Sequence, residues 1–168
     1  MSMPEYRLRP ATSADLPFLQ GAILALESHE RHGIEANALR LRADFPEQIE
    51  RWLTSLLDAP HALVIVAESE DETRVGCVLG FIQQQPNPFT DYQQHGVIQA
   101  VWVEEAFRRQ GIADGLVTAM ESCFGELGIP YVEIQHTVGN AEASAFWQRR
   151  GYAQDTMTRR RFLQPTAD

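Results

Sequence analysis

The run from Val97 to Leu127 constrains this chain more than any other stretch, because its apolar period changes part-way along. Val97, Ile98, Ala100, Val101, Trp102 and Val103 put apolar residues on both alternating faces, which suits a strand buried on both sides in the middle of a sheet. From Ile112 the period lengthens. Ile112, Leu116, Met120 and Phe124 recur every four residues with Val117 beside them, while Asp114, Glu121 and Glu126 fall elsewhere. Strand therefore passes into helix across Arg108-Arg109-Gln110-Gly111-Ile112-Ala113. A helix start leaves backbone N–H groups without intrahelical partners, and the helix dipole adds partial positive charge there. Gly111 and Ala113 have little or no side chain, so a phosphate could approach the backbone closely, and Arg108 and Arg109 suit phosphate oxygens. The plainer reading, a helix start with two solvated arginines, stays open on the hexapeptide alone. No Gly-Lys-Ser/Thr follows and no Gly-x-Gly-x-x-Gly is present, so neither a nucleotide P-loop nor a dinucleotide turn fits.

Before that run, Tyr6 to Arg9 reads as a short strand stopped by Pro10. Thr12-Ser13-Ala14-Asp15 caps a helix through Leu16, Leu19, Ile23 and Leu26. Residues 28–44 are polar and irregular. Phe45-Pro46 opens a helix carrying Ile49, Trp52, Leu53, Leu56 and Leu57. Residues 61–68 and 74–84 read as a hairpin, with Gly76 and Gly80 on the other parity, where they allow a close backbone approach or a bulge. After the central run, Tyr131 to His136 is a strand, Gly139-Asn140 opens a helix through Ala143, Phe146, Trp147 and Arg150, and Thr156 to Leu163 reads as a last strand. The pattern predicts a single α+β domain over residues 1–168 with a mixed sheet flanked by helices.

Two blocks carry a resemblance. Arg-x-x-Gly-x-Ala at 108–113, after a Val-x-Val strand end, resembles the acyl-CoA signature of the GNAT superfamily of N-acetyltransferases. Asn140-x-x-Ala143-x-x-Phe146-Trp147-x-x-x-Gly151-Tyr152 is similar in spacing to that superfamily's Asn-x-x-Ala-x-x-Leu-Tyr-x-x-x-Gly-Phe segment. The resemblance implies acetyl-CoA as co-substrate, lying in a splay between two central parallel strands. Val101 and Val103 would then offer backbone groups to the pantetheine arm and thioester. Arg108, Arg109, Gln110, Gly111, Ile112 and Ala113 would hold the pyrophosphate, and Asn140 would bond the pantetheine side.

The resemblance also has departures. Many members carry a Glu or His base on the fourth strand, and counting back from Gly111 that place is held by Gln99, expected on the Val101 and Val103 face. A Gln cannot accept a proton at neutral pH, although it can orient a water or an amine. Trp147 stands where the family commonly has the tyrosine that protonates the thiolate. Packing against the sheet is its alternative role. Glu104, Glu105, His95 and His136 are the other candidate acids and bases, each with a structural or solvated reading beside the catalytic one.

The resemblance thus implies an acetyl-CoA-dependent N-acetyltransferase acting on a primary amine of a small molecule or peptide. The alternative is a non-catalytic acyl-CoA-binding module that has lost its acid and base. The formal net charge of −9 argues against sequence-independent nucleic-acid binding, and no apolar run approaches a membrane span. Cys77 and Cys123 lie within apolar periodic segments and read as reduced thiols, which favours a cytoplasmic location. His29 and His32, with Glu35 near, could hold a metal. A solvated helix end is the commoner outcome, so no metal is expected. The basic Arg159, Arg160 and Arg161 beside Met157 and Phe162 suggest a homodimer through the last strand, or else a charged, protected edge.

Overall fold

The computed structural model describes residues 6–32, 34 and 38–163. Strand β1 (Tyr6–Pro10) leads through a 3-10 turn (Ser13–Asp15) into α1 (Leu16–Arg31) and then α2 (Phe45–Asp58). Strands β2 (Ala62–Ser69), β3 (Arg74–Gln84) and β4 (Gln94–Val103) follow. A second 3-10 turn (Glu105–Phe107) precedes α3 (Ile112–Glu126), β5 (Val132–Ile134) and α4 (Ala141–Arg149). The sheet order is β1-β2-β3-β4-β5. The first four strands are antiparallel and β5 is parallel to β4, so the sheet is mixed as expected.

Each face of the sheet buries one apolar set, which is why the central strands are apolar throughout. Leu19, Ile23, Leu53 and Leu56 of α1 and α2 pack on Val64, Val66, Cys77, Leu79 and Ala100. On the other face, Ile112, Leu116, Met120 and Phe124 of α3 pack with Ile65, Val78, Ile98 and Val103. Gly96 lets α3 sit close to β4: a Cβ there would lie 2.8 Å from the Phe124 ring.

Two faces of that core reveal a break in β4. Gly80 pairs with Ile98 and Leu79 with Ala100, so one step on β3 matches two on β4. Gln99 is the extra residue of a β-bulge, and it is exposed. The bulge puts Ile98 on the α3 face and Ala100 on the α1–α2 face, although they are two residues apart. Alternation is therefore broken between Ile98 and Ala100 and resumes beyond the bulge, with Ala100 and Trp102 on the α1–α2 face and Val101 and Val103 on the α3 face.

The expected last strand is corrected. Thr156 to Leu163 forms no strand and is exposed throughout, and β5 spans only Val132–Ile134 instead of 131–136. Met157 and Phe162 are five residues apart, so a strand would place them on opposite faces, and three adjacent arginines leave neither face apolar.

Candidate active site

Strands β4 and β5 pair over three residues only: Gly96 with Val132, Val97 with Glu133 and Ile98 with Ile134. β4 then runs on to Val103 without β5 beside it, so the two strands part at the β5 side of the sheet. The Glu104 N–H donates to Val75 O at 2.9 Å. By the two-residue alternation of an antiparallel ladder, the peptide groups of Val101 and Val103 point away from β3, toward the opening. The bulge at Gln99 lies where the parting begins.

At the mouth of the opening, the loop into α3 is held in an uncommon conformation. Arg109 has φ 61° and Gly111 has φ 79°, both left-handed. Gly111 is the N-cap, and the first helical bond runs from Gly115 N–H to Gly111 O at 3.0 Å. Among the described residues, the N–H groups of Arg109, Gln110, Gly111, Ile112, Ala113 and Asp114 donate to no protein acceptor. Six consecutive free donors at a helix start are well suited to a phosphate. The Tyr6 hydroxyl donates to Gly111 O at 3.3 Å and lies against Gly115, pinning the loop to β1.

The arginines have separate jobs. Arg108 Nε donates to Val103 O at 3.0 Å, and its guanidinium lies 4.9 Å from the Trp102 ring centre. Arg108 thus braces the end of β4 and occupies one carbonyl on the free edge, leaving its two terminal nitrogens without a protein acceptor among the described residues. Arg109 is exposed and its side chain makes no hydrogen bond or ion pair among the described residues. Gln110 Nε2 donates to Ala106 O at 3.3 Å, closing the turn locally.

Across the opening, Asn140 caps α4: its Oδ1 accepts from Ala143 N–H at 3.0 Å. Its Nδ2 donates to Glu30 Oε1 at 2.7 Å, and Thr137 N–H donates to Glu30 Oε2 at 2.8 Å. One amide hydrogen and one oxygen lone pair of Asn140 stay free for a ligand. Burial works against the Glu30 charge, but the bonds from Thr137 and Asn140, with His136 nearby, hold its carboxyl below the ordinary value. At the other end of α4, Arg150 grips α3, bonding Asp114 Oδ1 at 3.0 Å, Thr118 Oγ1 at 3.1 Å and Glu121 Oε2 at 2.7 Å. Both helices flanking the opening are thereby tied together.

The candidate acids and bases are scattered. His136 is half-buried with Nδ1 3.0 Å from Thr137 O. His95 is 2% exposed, stacked on Tyr131 at 5.1 Å between ring centres, with Nε2 3.4 Å from Glu133 and no partner for Nδ1. Glu104 Oε1 accepts from Trp102 Nε1 at 3.3 Å, and Glu105 is exposed in the 3-10 turn. Trp147 is buried against the α3 core, edge-on to Phe146 and Tyr152. Of the metal candidates, Glu35 lies outside the described residues, and no described group of His, Cys, Asp or Glu is placed to hold a metal.

Sequence reasoning missed Glu30 and Tyr6. Tyr6 gave no local signal. Glu30 gave a faint one, since an acid in the last turn of a helix runs against the dipole.

A mixed sheet parted between β4 and β5, with an unsatisfied helix start at the mouth of the parting, defines an α+β fold suited to a slender ligand that carries phosphate. Residues 24–152 match the model of the acetyltransferase (GNAT) family, and the chain belongs to that family of acyltransferases. No curated protein matches the sequence. Among solved structures, a mutant of the BH1408 protein of Bacillus halodurans is similar at 22% identity and TM-score 0.79, over 94% of this chain and 99% of that one. A predicted acetyltransferase of Clostridium acetobutylicum, solved with acetyl-CoA, is similar at 16% identity and TM-score 0.75, over 94% and 96%. The aminoglycoside N-acetyltransferase AAC(6')-Iy, solved with CoA, is similar at 15% identity and TM-score 0.73, over 96% and 97%.

Proposed function

We propose that this chain transfers the acetyl group of acetyl-CoA to a primary amine of a small molecule or peptide. The observation that carries the reading is the parting of β4 from β5 beside six free backbone N–H groups at the α3 start. That arrangement fits the shape and charge of a CoA thioester: a thin arm between strands and a pyrophosphate on a helix N-terminus. Acetyl-CoA, when bound, supplies an activated acyl group whose thiol leaves as the amine nitrogen is acylated.

The roles assigned to the chain follow from its geometry. Residues 109–113 would hold the pyrophosphate through main-chain donors, with Arg109 adding charge and Arg108 acting chiefly as a brace. The free edge of β4 at Val101 and Val103 would line the arm, with main-chain dipoles available to charge developing on the acyl oxygen. Asn140 would use its remaining amide hydrogen or lone pair. Gln99, exposed on the bulge, would orient the amine or a water. Trp147 supports the site from within the core. No described residue is placed as an evident base, so catalysis would rest mainly on positioning. The acidic chain favours a cationic acceptor reaching the site.

Incubation with acetyl-CoA and a panel of amines that includes aminoglycosides and peptides, read by release of free thiol, tests this. Turnover of any amine class supports the proposal. CoA binding without turnover across the panel favours the non-catalytic module. The ratio kcat/KM should rise with pH along the pKa of the acceptor amine. An added enzyme group near neutrality that vanishes on substituting His136, His95 or Glu104 would instead identify a base.

A further inference from the structure

Glu30 is the second-last residue of α1, where the helix dipole disfavours a carboxylate. It nevertheless keeps its charge and accepts three bonds from the β5–α4 connection. Thr137 N–H and Asn140 Nδ2 each take one carboxylate oxygen, and Thr137 Oγ1 donates to Glu30 O at 3.1 Å. The next residue, Arg31, donates to Leu39 O at 2.7 Å in the α1–α2 connection. A single helix turn therefore ties the connection on the α1–α2 side to the N-terminus of α4, across the opening between β4 and β5.

The chemistry of the contact is selective. Both groups facing the Glu30 side chain are donors, so only an acceptor-only side chain satisfies them together. By holding Nδ2 of Asn140, Glu30 also turns Oδ1 of that amide toward Ala143 N–H. The orientation of the α4 cap is thus set from α1.

We propose that Glu30 is a positioning residue for the cofactor: it holds Thr137 and Asn140 where they form one wall of the CoA slot. The proposal rests on the acetyl-CoA reading above. A glutamine at position 30 has one acceptor and one donor. It must turn its own NH2 toward either Asn140 Nδ2 or the Thr137 N–H, or force the Asn140 amide to flip and lose the α4 cap. An aspartate at position 140 resolves the conflict, because its second oxygen accepts from the new amide while its first still caps Ala143.

The test is calorimetric titration of the intact protein with CoA, alongside thermal melting and steady-state kinetics, for the parent, Glu30→Gln and the Glu30→Gln/Asn140→Asp double variant. Glu30→Gln should weaken CoA binding roughly tenfold, the worth of a charged hydrogen bond. The KM for acetyl-CoA should rise more than kcat falls. The double variant should recover the parent's melting temperature through the restored α4 cap, while its CoA affinity stays below the parent's because Asn140 itself lines the slot. Equal CoA affinity in Glu30→Gln would overturn the proposal alone. A lowered melting temperature with unchanged affinity would show Glu30 to be structural only and would overturn it equally. Failure of the parent to bind CoA would overturn the acetyl-CoA reading, and this proposal with it.

Discussion

Replacing Arg109 with glycine should move stability and ligand binding in opposite directions. Arg109 sits at φ 61°, a conformation that costs a non-glycine residue about 1 kcal/mol. Its side chain is exposed and has no described hydrogen bond or ion pair to lose. Glycine removes the strain but adds about 0.5–1 kcal/mol of unfolded-chain entropy. The net effect of Arg109→Gly is therefore a stability change between zero and about 0.5 kcal/mol in favour of the fold. Binding loses a charged partner for phosphate, about 1.5–3 kcal/mol, or roughly ten- to hundredfold in CoA affinity. Part of that loss should vanish in high salt, since the guanidinium is exposed. Urea unfolding and CoA titration at two salt concentrations measure both terms. Arg109→Asn, which tolerates the left-handed conformation without the charge, should bind as weakly as the glycine variant. Unchanged CoA affinity in both variants, with stability as expected, would refute the assignment of the loop to phosphate.

Gly111→Val should be harmful for two reasons, a β-branched residue at φ 79° and crowding of the donors, and CoA affinity should fall beyond detection while the protein still folds. Gly96→Ala should cost about 1–3 kcal/mol in urea melts, because its Cβ meets the Phe124 ring, and Phe124→Leu in the same chain should recover part of it. Asp15 is fully buried and bonded first by Arg9, which holds its carboxyl well below the usual value of 3.8. Its stabilisation is complete above that value and is lost as pH falls through the native one, so Asp15→Asn should cost about 3–5 kcal/mol at neutral pH and flatten the acid limb of the stability curve. The exposed, arginine-bearing segment 154–163 follows an open surface hollow lined by Glu121, Val132, Arg150, Gly151, Tyr152 and Ala153. Pairing of that segment with the acidic body of a second copy predicts a homodimer by light scattering that reverts to monomer on truncation after Ala153.

The sequence alone determined most of the elements. Apolar period is a local property, so the change from period two to period four between Val103 and Ile112 placed β4 and α3 correctly. The Gly-x-Ala spacing likewise marked a helix start with room for an anion, and Gly139-Asn140 was legible as the opening of α4. The tertiary structure decided what depends on residues far apart in the chain. The bulge at Gln99 follows from packing Ile98 on α3 and Ala100 on α1 and α2, which no local alternation encodes. The division of labour between Arg108 and Arg109 depends on where Trp102 and the Val103 carbonyl lie. The three-residue β5 and the missing last strand reflect pairing partners that a strand-like pattern cannot guarantee, because a ladder needs an edge as well as a propensity. Glu30 is 107 residues from Thr137 and 110 from Asn140. Only the folded chain brings that carboxylate to its donors, since its position is set by the packing of α1 on the sheet and its charge is retained only where those N–H groups replace water.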